Sequence, residues 1–247
     1  MNRWKAAGTH FALSVLVIGS IALSAFLLWY PHALYKVAGL DRILLIMLGI
    51  DLTAGPLLTL IVFRSGKPSL KFDLTVIAIA QLAFLGYGLN TLWQGRPVFL
   101  VGTPDTFTLV FANEIDDADL AQAPKPEWRT LPWNGPRLVA TRMPDAPEVR
   151  RKILEDFMAG GAGIERTPKY YLDFAVVAPR ILEASRATSA DGVSDDEVRA
   201  TDRARAQLRW MPIVSRRASG TLLIDATTAM PLHTLAREID SIATAKP

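Results

Sequence analysis

The chain contains no cysteine. Disulfides, thiolate zinc sites and thiol nucleophiles are therefore excluded, although an oxidising compartment is not, because disulfides are optional there. Histidine is scarce. His10, His32 and His233 lie far apart in sequence, whereas a metal site needs its ligands clustered, so they read as separate surface or interface side chains. No G-x-S-x-G, Walker or Rossmann pattern occurs, and there is no internal repeat. Gly160-Gly161-Ala162-Gly163 follows a helical pattern instead of opening one after a strand, so it reads as a helix stop and not a phosphate cradle. The acidic run Asp195-Asp196-Glu197 suits the positive end of a helix dipole. Calcium would need more oxygen ligands at fixed spacing.

What is present is oil and unevenly placed charge. Half of the 247 residues are hydrophobic and the mean hydropathy is +0.23, between an average soluble protein and a pure membrane bundle. Residues 1–93 carry seven Lys/Arg against three acids, a net +4, and residues 94–247 are net −1. The sequence pI of about 9.3 thus comes from the apolar third. It reports membrane topology and not nucleic-acid binding, which would need a basic patch on the folded part.

Three runs have membrane length: 11–30, 43–63 and 74–93. Each would rise roughly 30 Å as a helix. Trp29, Tyr30 and Trp93 end the first and third, where aromatic rings settle at the interface. The first run is too long for the apolar core of a signal peptide, and two more follow it. Arg3 and Lys5, with Arg64, Lys67 and Lys71 in the second loop, outnumber Lys36 and Arg42 in the first loop. This bias places the amino terminus in the cytoplasm and residues 94–247 across the membrane, in the periplasm of a bacterium. The expected fold is a membrane protein with three transmembrane α-helices (1–93) followed by an α+β extracytoplasmic domain (94–247).

In that domain, 98–101 and 106–112 read as a β-hairpin, and 121–136 as proline-rich loop. A helix is expected from Pro147 to Met158 behind an Asp145 cap. Residues 170–177 are ambiguous, a short helix is expected from Pro179 to Ala187, and a Ser194/Glu197 capping box opens a helix to about Arg209. The last stretch from Met211 reads as two or three strands, with Ser219-Gly220 and Thr227-Thr228 as turns.

Asp51 is the residue that composition does not explain. A carboxylate near the centre of a span costs about 2.5–3.5 kcal/mol. Asp51, Gly55 and Thr59 fall on one helical stripe that is small and polar, suited to facing another helix. Pro56 denies the Leu52 carbonyl its partner, so a bend is expected there, with Thr53 helping to satisfy the backbone. Ser24 and Tyr87 lie at matching depth in their spans and carry hydroxyls that can donate to a carboxylate, which suggests a buried Ser24–Asp51–Tyr87 cluster with Gln81 and Asn90 in reserve. Three readings stay open for Asp51: a staple between helices, a docking site for a partner's membrane helix, or a proton path or catalytic base.

The blocks DLTAGPLLTLIVF (51–63), KPSLKFDL (67–74), Gln81, Tyr87-Gly88, QGRPVFLV (94–101), LVFANEID (109–116), GPRLVATRMPD (135–145), AGGAGIERTPKYY (159–171) and TLLIDATTAMPL (221–232) resemble the bacterial type IV pilin accessory proteins of the Tfp kind. The resemblance covers nearly the whole chain outside 172–210. It implies an inner-membrane protein that helps a cognate type IV pilin assemble into or retract from a pilus, with pilin and other pilus-assembly proteins as partners. It brings no catalytic residues, cofactor, metal or nucleic acid. Rival classes are a membrane enzyme modifying pilin or lipid, for which Asp116, Asp117 and Glu127 are simpler as solvated acids, and a periplasmic ligand-binding or sensory protein.

Overall fold

The computed structural model describes residues 2–39, Leu45, 49–188 and 192–239, without the side chains of Ile50 and Asp51. The chain divides into two compact units, Met1–Leu28 with Leu40–Gly95, and Trp29–Gly39 with Arg96–Pro247.

The first unit is helical. α1 (Arg3–Trp29) and the later α4 (Leu70–Gln94) are 27 and 25 residues long, rises of roughly 40 and 37 Å. Both are long and apolar enough to cross a membrane. Leu16, Leu23, Ile79 and Leu82 are each more than half exposed, an apolar surface that lipid can cover and water cannot without penalty. Thr9 and Ser20 in α1 and Thr75 and Thr91 in α4 return their hydroxyls to the carbonyl one turn back, so they add no unmet donor. Residues 43–44 and 46–48 of the expected 43–63 span lie outside the described residues. From Ile50 to Ala54 it forms a π-helical turn that runs into α3 (Gly55–Val62), and α2 (Tyr35–Ala38) precedes it in the chain. The widened turn stands where a bend was expected, immediately before Pro56. Thr53 Oγ1 donates to the Gly49 carbonyl there, one turn back.

The second unit holds one mixed sheet. Its strands are β1 (Pro97–Gly102), β2 (Phe107–Phe111), β3 (Arg137–Ala140), β4 (Arg186–Ala187), β5 (Leu208–Ser215), β6 (Ser219–Asp225) and β7 (Pro231–Leu235). The order is β3-β1-β2-β5-β6-β7, with β4 against β5. β1 pairs antiparallel with β2 and parallel with β3, and β2 meets β5 in parallel. β1 and β2 are buried throughout, as their largely apolar runs suit central strands. Val98, Phe99, Val110, Trp128 and Tyr171 share a core cluster, with Phe99 and Tyr171 edge to face at 5.0 Å.

Several expected elements shift. The helices following β2 are α5 (Asp117–Ala121), α6 (Pro147–Met158), α7 (Phe174–Ala184) and α8 (Asp195–Arg199). Asp145 does not cap α6. It pairs with Arg142 at 3.2 Å, and Ala146 takes the cap position. α7 starts before Pro179 and carries it inside, because Val177 and Ile181 are fully buried and their packing overrides the lost hydrogen bond. The Ser194/Glu197 capping box forms, but α8 ends at Arg199 and not near Arg209. Ser219-Gly220 lies in β6 and is not a turn.

The larger correction concerns the first connecting segment, expected as a loop of the 1–93 domain. Trp29–Gly39 belongs to the sheet-bearing unit. Leu34, Val37 and Ala38 are fully buried, Ser215 Oγ donates to the Val37 carbonyl at 2.6 Å, and Arg217 donates to the Ala38 carbonyl at 2.9 Å. A strap from between the apolar helices thus completes the soluble unit's core.

Candidate functional site

Within the helical unit, three polar side chains from three helices meet. Gly55 and Thr59, one turn apart on α3, are both buried, Thr59 to 3% exposure. His10 on α1 places Nδ1 2.7 Å from Thr59 Oγ1, and its Nε2 meets Gln81 Oε1 on α4. A carboxamide oxygen only accepts, so Nε2 carries the hydrogen, and in the neutral ring Nδ1 accepts from the threonine hydroxyl. One imidazole thereby fixes the mutual register of α1, α3 and α4. The absence of a side chain at Gly55 gives the Gln81 carboxamide its room, since a Cβ there would collide with it. This is small-residue packing joined to an interhelical hydrogen bond, the pairing that suits helices in lipid. A cavity of about 460 Å³ adjoins the seam, lined by Leu13, Ser14 and Val17 of α1 and Leu74, Ala78 and Leu82 of α4.

The expected site residues are therefore divided. Gly55, Thr59 and Gln81 come together, and Pro56 enters α3 directly after the π-helical turn. The Asp51 side chain lies outside the described residues. Ser24 is exposed and Tyr87 is 75% exposed, so those hydroxyls do not form a buried cluster within this unit. His10 was missed because it precedes the first apolar run and reads as a flank. Its spacing on α1 alone gives no signal for partners 49 and 71 residues away.

Two of the three histidines, His32 and His233, are also not separate, whereas His10 stays apart in the helical unit. In the soluble unit, Lys36 Nζ of the strap stands 3.2 Å from His233 Nε2 on β7, and His32 Nδ1 lies 3.3 Å from the Leu232 carbonyl. Burial first, then the Lys36 ammonium and His32, hold His233 below the usual imidazole range, and Glu197 opposes them. Hydrogen bonds from Arg237, with help from the Ser194 cap, pull Glu197 down to about 2. Asp225 is held well below the carboxylate range by the Thr227 hydroxyl and by the amides of the β6–β7 turn. Burial raises the Tyr171 phenol. Hydrogen bonds thus shift Glu197 and Asp225, and burial first shifts His233 and Tyr171. Among the described residues, no group of three or more His, Asp or Glu could hold a metal ion.

No protein-family model matches the chain, and no solved structure does. Curated relatives do. It is 28% identical over 231 residues, 89% of each chain, to the fimbrial assembly protein of serogroup E1 of Dichelobacter nodosus, and equally to that of serogroup I. Identity reaches 32% over 121 residues with the fimbrial assembly protein of serogroups C1 and C2 from the same organism, covering 48% of this chain and 92% of that one. With these matches joined to the motifs of 51–63 and 221–232, the chain belongs to the fimbrial assembly protein family, the type IV pilin accessory group that its sequence resembles.

Proposed function

We propose that this protein is a multi-pass inner-membrane accessory of type IV pilus biogenesis that holds its cognate pilin during assembly or retraction. The observation that carries the reading is the extent of the match. A shared stretch of 231 residues takes in the helical unit and the soluble unit alike, in relatives named for fimbrial assembly. The role proposed is one of holding a client and not of catalysis.

The strap supports the three-span topology. Trp29–Gly39 packs into the same unit as residues after Arg96, so both lie on one side of a membrane. The chain between them must then cross an even number of times, which pairs α4 with the run containing α3. With α1 this makes three crossings, and the charge bias puts the soluble unit in the periplasm. Because Gly55 and Thr59 are taken up by His10 and Gln81, the seam acts as the staple. The pilin's membrane helix is held on the exposed apolar flanks of α1 and α4, and the sheet-bearing unit meets its head.

The test is affinity purification of the protein from gently solubilised membranes of a strain making its pilin. Pilin should co-purify, and deletion of the gene should change the number of surface pili. Pilus number unchanged and no pilin recovered would sink the proposal. A change in pilin mass on deletion would favour a modifying enzyme.

A further inference from the structure

We propose that the loop 129–135 of the soluble unit is an additional membrane contact, with the Trp133 indole seated in the lipid headgroup layer. This rests on the reading that α1 and α4 cross the bilayer. Trp29 is the last residue of α1, and Arg96 is the second residue after α4. Trp29 Nε1 donates to the Trp133 carbonyl at 2.7 Å, and Arg96 Nε donates to the Pro132 carbonyl at 3.2 Å. Trp29, Arg96 and Trp133 all belong to the second unit. One dipeptide is therefore bonded both to the residue where the first apolar helix ends and to the residue just beyond the end of the last. Those ends define the lipid–water boundary, so the loop lies at that boundary too.

The loop is held and not loose. Leu131 packs against the core, Pro132 is buried, and Arg96 is 4% exposed. Arg129 Nε donates to the Ala123 carbonyl at 2.9 Å, and an Arg137 guanidinium nitrogen donates to the Thr130 carbonyl at 3.0 Å. Gly135 closes the turn with a φ of 84°, which only glycine adopts without strain. From this frame Trp133 emerges 62% exposed, whereas Trp128, five residues earlier, is 6% exposed. A braced loop that turns an indole outward at the membrane boundary fits the headgroup and glycerol layer, where the ring loses water and its N–H still finds acceptors.

The absence of cysteine allows a direct test on the whole chain. The Trp133→Cys and Leu23→Cys variants, the latter at a 59% exposed site in α1, are labelled with an environment-sensitive fluorophore. They are reconstituted in phosphatidylethanolamine–phosphatidylglycerol vesicles carrying nitroxide lipids. The probe at 133 should shift to the blue and lose more emission to a headgroup nitroxide than to one near the chain end, and the probe at 23 should show the reverse order. Quenching at 23 but none at 133 overturns the loop anchor and leaves the proposed function standing. Quenching at neither site overturns both. Emission at 133 that changes only when pilin is added also overturns the proposal, in favour of a protein partner. Unchanged melting of each labelled variant shows that the fold is retained.

Discussion

His10 Nδ1 lies 2.7 Å from Thr59 Oγ1, tying the first helix to a residue 49 positions later. A hydroxyl in an apolar helix usually bonds back to its own carbonyl ladder, as Thr9 and Thr91 do. Thr59 instead points across to an imidazole whose other nitrogen is engaged by Gln81. Interhelical polar bonds in lipid contribute about 0.6–2 kcal/mol each. The seam can therefore set helix register without dominating stability.

The Gly55→Ala variant tests that seam. Its Cβ would strike the Gln81 carboxamide. The side chain can swing away, but only by leaving His10. We expect a loss of about 1 kcal/mol of helical-unit stability in detergent. The loss should vanish in a Gln81→Ala background, where nothing remains to be displaced. Equal costs in both backgrounds would mean that Gly55 acts through backbone freedom alone. A double-mutant cycle on thermal unfolding separates the two.

Leu34→Ala tests the strap. If 31–42 were a connecting loop, truncating this leucine would cost little. Since Leu34 is fully buried in the soluble unit, we expect about 2–5 kcal/mol. The loss should appear in unfolding followed by fluorescence of Trp128 and Trp210, the two most buried tryptophans of that unit. A shift within experimental error would show that the strap is not part of the core.

How much of this was legible beforehand follows from the range of the interactions. The first and third apolar helices, the β1–β2 hairpin, the body of α6 and the Ser194/Glu197 cap are each specified by residues within a turn or two, and these appear. The strap was illegible because the Val37 and Ala38 carbonyls meet partners nearly 180 residues away, Ser215 and Arg217, and a segment of that length flanked by apolar runs reads as a loop. Half of the seam was visible, because Gly55 and Thr59 share a helical stripe. His10 was not, because nothing in its local pattern separates a flank from a staple. Pro179 misled for the opposite reason: a strong local signal yielded to the burial of Val177 and Ile181.

His233 makes stability depend on pH near neutrality. The groups facing it are Lys36 and His32, both unfavourable to a charged ring, and Glu197, which favours one. Its folded pKa lies below the ordinary imidazole range, so the unfolded chain binds the proton more readily. The stabilising contribution is therefore present above about pH 6.5 and is lost as pH falls toward the folded value. Melting temperatures of the wild type between pH 8 and 5 should decline more steeply than those of the His233→Gln variant. Lys36→Gln should flatten the slope part-way. Parallel slopes in all three proteins would place the titration elsewhere.

Glu197 governs a lower window. Arg237 contacts both of its carboxylate oxygens, one at 2.7 Å, and the Ser194 amide adds a bond at 2.8 Å, linking α8 to the segment after β7. These hold the carboxyl at about 2, below its ordinary value of 4.5. A carboxylate with a depressed folded pKa contributes stability that is fully present above the ordinary value and is lost as pH falls toward about 2. At pH 7 the Glu197→Gln variant should be less stable by about 1 kcal/mol, a charge-assisted pair near the surface being worth no more. The gap to the wild type should close between roughly pH 4.5 and 2, where protonation removes the same charge that the substitution removes. The Arg237→Gln variant should behave alike, since it leaves the cap but takes away the largest cause of the shift. Chemical unfolding at pH 7, 4.5 and 3 reads all three proteins. A gap between Glu197→Gln and wild type that persists unchanged at pH 3 would mean that shape, and not charge, joins α8 to that segment.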